Sequence, residues 1–179
     1  LEWGWGPWGD LALDRITDWH FDLQIIGGKI LNIIPCLQSG PFDEDRRHRF
    51  NLKSDTTLSV ISYSARQGGY RQNPNQSVIL EITGNGSTSL KLKMSKPIRN
   101  NCTVTVADLY HGSVSRFTGG FPKESYQWHR LVPVPSSRIR RKKLIQISNR
   151  KSNVYLRVKQ QNGHIAWASP VFINYPSNS

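Results

Sequence analysis

Cysteine is nearly missing from this 179-residue chain, with only Cys36 and Cys102 present. Two thiols can form one disulfide at most. They cannot supply a disulfide framework or a cysteine-ligated metal centre. Two unpaired, buried thiols are the expected state. Methionine occurs once, at Met94, so a chain that opens on Leu1 is expected to be a segment of a longer protein. Long apolar runs are missing too. Stretches such as "LQII" and "ILNIIP" are of strand length and fall well short of the roughly 18 residues of a membrane span. No membrane partner is expected. The opening "LEWGWGPWGD" also lacks the basic start and apolar centre of a secretion signal.

Acidic residues are scarce in the second half. Residues 91–179 hold 16 Lys and Arg against two acids, Asp108 and Glu124, whereas residues 1–90 hold 8 against 10. The net charge of +12 therefore lies in the C-terminal half. Such an imbalance predicts a polyanion partner, or a face that docks on an acidic neighbouring domain. It also leaves few candidates for the paired carboxylates of glycoside hydrolysis.

Catalytic signatures are missing. His20, His48, His111, His129 and His164 are spaced neither as His-x-His nor as His-Glu-x-x-His. There is no nucleophile elbow, phosphate loop or dinucleotide fingerprint. Asp43, Glu44 and Asp45 adjoin Arg46 and Arg47, a mixture that predicts a solvated loop rather than a calcium site. No catalytic residue, metal ligand or cofactor is assigned, and the segment is not expected to be an enzyme by itself. Glycosylation sequons occur at Asn75, Asn85 and Asn101, but so short a motif often arises by chance.

What the chain has is short, alternating strands. Trp19, Phe21, Leu23 and Ile25 alternate with polar residues, the period of a half-buried strand. Gly27-Gly28 then predicts a hairpin turn into "KILNIIPC". "SVILEIT" and "SLKLKM", separated by "GNGST", predict a second hairpin, and "CTVTVADLY" a further strand. "QWHRLVPV" is expected to be a strand ended by its prolines, and "SSRIRRKK" a basic link into the strand "LIQIS". "NVYLRVKQQNGHIAWASPVFIN" (153–174) predicts a closing hairpin about an Asn-Gly turn. Roughly eight to ten short strands with little helical period predict an all-β antiparallel β-sandwich, a closed barrel being the alternative. The expected organisation is a Trp- and Gly-rich leader or linker over 1–18 and a β-sandwich domain over 19–176.

Two groups of side chains are candidate binding residues. Arg138, Arg140, Arg141, Lys142 and Lys143 form a basic run that would attract phosphates or dock on a neighbour. Trp3, Trp5 and Trp8 would stack on sugar rings if they formed an exposed row. Otherwise they pack on the sandwich or on an upstream domain.

The last 22 residues of strand pattern resemble the end of large bacterial proteins built on a polymerase-and-histidinol-phosphatase (PHP) type metallohydrolase domain. The resemblance rests on Tyr155, Arg157, Val158, Gln160, Gly163, Ala166, Trp167, Ser169, Pro170, Val171 and Ile173, with Ala168 where that family usually has serine. "WHFDLQIIGGKI" is similar, more weakly, to the first hairpin of the same sandwich. The resemblance implies an immunoglobulin-like accessory domain without catalysis, following a metal-dependent hydrolase domain in the same chain. Alternation along the closing hairpin predicts that it completes the fold, with Val154, Leu156 and Val158 facing the core and Trp167 filling the end of the sandwich.

Overall fold

The computed structural model describes residues 1–5, 16–37, 46–65, 75–119, 124–137, 140–146, 151–159, 163 and 165–174, without the side chains of residues 5, 65, 137 and 151. It divides into two compact units, Leu1–Ser137 and Arg138–Ser179.

Among the described residues, the first unit holds ten strands: β1 (Glu2–Trp5), β2 (Ile16–Ile26), β3 (Lys29–Cys36), β4 (Arg49–Ser54), β5 (Thr57–Ala65), β6 (Gln76–Thr83), β7 (Ser89–Lys96), β8 (Asn100–Thr105), β9 (Val114–Phe117) and β10 (Ser125–Trp128). They form two antiparallel five-stranded sheets, in the orders β3-β6-β1-β10-β9 and β4-β5-β2-β7-β8. The sheets pack face to face, and the chain is an all-β sandwich rather than a closed barrel.

Alternation on β2 explains the core. Thr17, Trp19, Phe21, Leu23 and Ile25 are buried, while the residues between them are half-buried or exposed. Leu90, Leu92 and Met94 of β7 and Leu58 and Val60 of β5 extend the same inward face. Opposite them lie Trp3, Val78, Tyr126 and Trp128. Each such side chain contributes about 1.5–3 kcal/mol by leaving water. Trp3 meets Phe21 edge to face at 5.3 Å across the two sheets. Two serines satisfy two of the buried indoles: Trp3 donates to Ser62 Oγ at 3.1 Å, and Trp19 to Ser64 Oγ at 2.8 Å, while the Trp128 N–H is buried without a partner among the described residues.

Several sequence expectations change here. Glu2–Trp5 are not a leader but a central strand between β6 and β10, bulged at Gly4, whose φ is +105°. β2 itself begins at Ile16, inside the expected leader. β2 and β3 do not form a hairpin: β2 pairs with β5 and β7, and β3 pairs with β6. The Gly27-Gly28 turn instead carries the chain from one sheet to the other. Gly27 has φ +79°, and a Cβ on Gly28 would lie 2.1 Å from the Thr83 carbonyl oxygen. β6 and β7 are likewise an arch between sheets rather than a hairpin.

The segment "CTVTVADLY" is strand only as far as Thr105. A helix, α1 (Val106–His111), follows, because Thr105 and Asp108 form a capping box. "QWHRLVPV" is strand only through Trp128, and a single helical turn, α2, spans Val134–Ser137.

The second unit contains β11 (Lys151–Val154), β12 (Arg157–Lys159), β13 (Ile165–Trp167) and β14 (Val171–Asn174). β11 pairs with β14 and β12 with β13, so the expected hairpin forms as a long ribbon in two pieces. Pro170 lies at the break, where Tyr155-Leu156 face Ala168-Ser169-Pro170 and the Ala168 N–H bonds the Leu156 carbonyl at 2.9 Å. Among the described residues, the ribbon adds no strand to either five-stranded sheet, because its strands pair only with one another. Leu156, Val158 and Trp167 are exposed and Val154 is half-buried, where alternation placed all four inward. Residues 141–146, within the expected strand "LIQIS" and its link, carry no strand.

Candidate functional site

On the outer face of the first sheet, the most connected polar group surrounds Glu2. Glu2 lies opposite Gln127 in the β1–β10 ladder. Its carboxylate meets His129 Nε2 at 2.6 Å and accepts a bond from the Asn75 amide. The Ser115 hydroxyl, the group a hydrolytic relay would need beside the imidazole, donates instead to Gln127 Oε1 at 3.0 Å. The cluster edges a shallow cleft of about 180 Å³. It can hold a proton between Glu2 and His129, but it does not poise a nucleophile.

On the outer face of the second sheet, β2 presents Asp18, His20 and Asp22. Arg46 approaches Asp18 at 3.4 Å, and Lys53 approaches Asp22 at 3.1 Å. Burial would raise the Asp22 carboxyl. Hydrogen bonds from Ser59 and Lys53 and the charges of Lys53 and Lys93 outweigh it and hold the group below its usual range. Burial, then the charge of Lys96, lowers His20, with Asp18 opposing in part. Burial and neighbouring groups of the chain account for both shifts.

The remaining histidines do not converge. His48 stacks on Tyr63 at 4.5 Å and bonds Ser62 Oγ at 2.9 Å. His111 ends α1, and His164 lies outside the described residues. Among the described residues, no group of three His, Cys, Asp or Glu could hold a metal ion. Cys36 and Cys102 are free thiols, with Cys102 buried and Cys36 half-buried.

Trp3 does not belong to an exposed sugar-stacking row. It is 1 % exposed, in the core, with its indole N–H bonded to Ser62. The Trp5 side chain, Trp8, Arg138 and the acids Asp43, Glu44 and Asp45 lie outside the described residues. Among the sequons, Asn75 is engaged with Glu2, Asn85 Oδ1 accepts from the Ser87 N–H and hydroxyl, and Asn101 is exposed on β8.

The basic candidates are placed differently. Arg140, Arg141, Lys142 and Lys143 are all exposed in an extended segment. The charge imbalance coincides with the division into units. Nine of the residues from 138 to 179 are Lys or Arg and none is Asp or Glu, so this unit carries +9 of the chain's +12. The ribbon adds a feature that the sequence reading missed. In the β12–β13 ladder, Arg157 pairs with Trp167 and Lys159 with Ile165. Directly opposed residues share one face of a sheet, as do alternate residues on one strand. Arg157, Lys159, Trp167 and Ile165 therefore form one exposed face, with Trp167 61 % exposed. Apolar alternation had suggested a buried Trp167. The total lack of acids after residue 137 was the available signal for an interaction surface.

No protein-family profile, curated protein or solved structure matches this chain. Nothing in these comparisons ties it to PHP-type hydrolases.

Proposed function

We propose that this is a non-catalytic binding protein in which a β-sandwich accompanies a basic, polyanion-binding C-terminal unit. The observation that carries this reading is the charge of residues 138–179, nine Lys and Arg and no Asp or Glu, with Arg140 to Lys143 exposed. No Asp or Glu within the unit offsets this charge, which favours a polyanion. The ion pairs of the first unit support the same division of labour, because Arg46 and Lys53 are engaged by Asp18 and Asp22. The reading is independent of whether a hydrolase domain precedes the segment, and it does not use the sugar-stacking row from which Trp3 is removed.

Binding of the full chain to a heparin resin and to nucleic-acid oligonucleotides, measured over a salt series, tests it. The expected result is retention at about 50 mM salt and a steep loss of affinity as salt rises. The log–log slope is about −2 or steeper if three or more phosphates are engaged. Absence of retention on both ligands at low salt would overturn it.

A further inference from the structure

We propose that the β12–β13 face is a stacking platform for single-stranded nucleic acid, with Trp167 receiving a base and Arg157 and Lys159 receiving the flanking backbone. This rests on the polyanion reading and narrows it to one ligand class.

Four observations lead to it. First, the described tryptophans fall into two classes. Trp3, Trp19 and Trp128 are 3 % exposed or less, whereas Trp167 is 61 % exposed. Second, Arg157 is directly across the ladder from Trp167, so their Cβ atoms project from one face about 5 Å apart. A guanidinium beside an indole can bind a phosphate while the ring remains open to a base. Third, Lys159 follows on the same face, about 7 Å farther along the strand. That spacing is comparable with one nucleotide step of an extended strand. Fourth, the run Arg140–Lys143 in the same unit supplies further phosphate contacts.

The aromatic decides between polyanions. An indole face needs a free π-surface. In a duplex the base faces are covered by their neighbours and only the edges are accessible, whereas unpaired bases offer their faces to aromatic side chains. The opposite face of the ladder carries Val158 and Ala166, which offer no comparable surface. A two-stranded ribbon is also marginal in water by itself. Stacking on Trp167 would stabilise the ribbon in addition to holding the ligand.

The test compares a labelled oligo-dT, a duplex of equal length and heparin on the full chain, by fluorescence anisotropy. The variants are Trp167→Ala, Trp167→Phe and the pair Arg157→Gln with Lys159→Gln. Trp167→Ala is expected to weaken oligo-dT binding about 5- to 150-fold, with heparin and duplex binding unchanged within about twofold. Trp167→Phe should restore most of the loss, since it keeps an aromatic face. The paired charge variant should weaken all three ligands and make the oligo-dT salt slope shallower by about 1.4. Equal weakening of heparin and oligo-dT by Trp167→Ala, or of neither, would overturn the stacking proposal. If the unaltered chain still binds in a salt-dependent way, the broader polyanion reading survives that result. Binding of none of the three ligands by the unaltered chain would overturn both. Unfolding midpoints of the variants within a few degrees of the unaltered chain would show that the losses are not due to unfolding.

Discussion

The Thr88 hydroxyl donates to the Gly27 carbonyl oxygen at 2.9 Å and accepts from the Asn85 N–H at 2.9 Å. It thereby joins the arch between β2 and β3 to the arch between β6 and β7. Thr88 is 1 % exposed, so neither bond is easily replaced by water. Thr88→Val keeps the shape and strands both partners. A loss of about 1–3 kcal/mol is expected, read as a lower urea midpoint at unchanged slope, while Thr88→Ser keeps most of the stability.

The same pair of arches makes Gly28 a packing position. A Cβ there would lie 2.1 Å from the Thr83 oxygen and 3.2 Å from Ile25 Cγ2, whereas a Cβ on Gly86 meets nothing closer than 3.8 Å. Gly28→Ala should therefore cost about 1–3 kcal/mol through overpacking. Gly86→Ala, measured in the same denaturation series, should be nearly neutral.

Capping of α1 should be visible in both stability and its pH dependence. Thr105 Oγ1 accepts from the Asp108 N–H at 3.1 Å, and Asp108 Oδ2 accepts from the Thr105 N–H at 2.8 Å. Thr105→Ala is expected to cost about 1 kcal/mol. The backbone and hydroxyl bonds from Thr105 hold the Asp108 carboxyl below its reference value of 3.8. Its contribution is therefore complete above that value and disappears as pH falls through the lower folded-state value. Asp108→Asn should flatten the acid limb of stability against pH, a change that thermal melts across that limb would record.

Stability and binding should separate at residue 137. Among the described residues, every buried hydrophobic residue of the core precedes that point, the last being Trp128. A chain ending at Ser137 is expected to retain a cooperative melt and to lose retention on heparin. Replacing Arg140, Arg141, Lys142 and Lys143 with Gln in the full chain should leave the sandwich melt unchanged. It should make the salt slope for a single strand shallower by about 2.8.

Period-two patterning identified the sandwich because one inward face runs the length of β2, from Thr17 to Ile25. The same pattern could not tell a hairpin from an arch. A glycine turn between two alternating segments serves both, and only the pairing of β3 with β6 and of β2 with β7 decides. The helix after Thr105 was legible in its capping box, but the β-branched run before it pulled the reading toward strand. Trp3, a candidate sugar platform by sequence, is core because Glu2–Trp5 insert between β6 and β10. Trp167 went the opposite way. Alternation sets which residues share a face, but not whether a second layer covers that face. The basic run Arg140–Lys143 was legible as charge from the start, and the structure adds its exposure.

The position of β1 bears on the order of synthesis. Its residues Glu2 and Trp3 are opposite Gln127 and Tyr126, so a strand made early in this unit borders one made near its end. Until β10 emerges, the first sheet lacks the ladder joining β1 to β9, and the Trp3 indole lacks Tyr126 beside it. Such distant pairing slows closure of a sheet, and an incomplete chain exposes strand edges that invite association. A nascent chain from which β10 has not yet emerged should therefore depend on holdase protection, whereas one that has emerged through Ser137 should not.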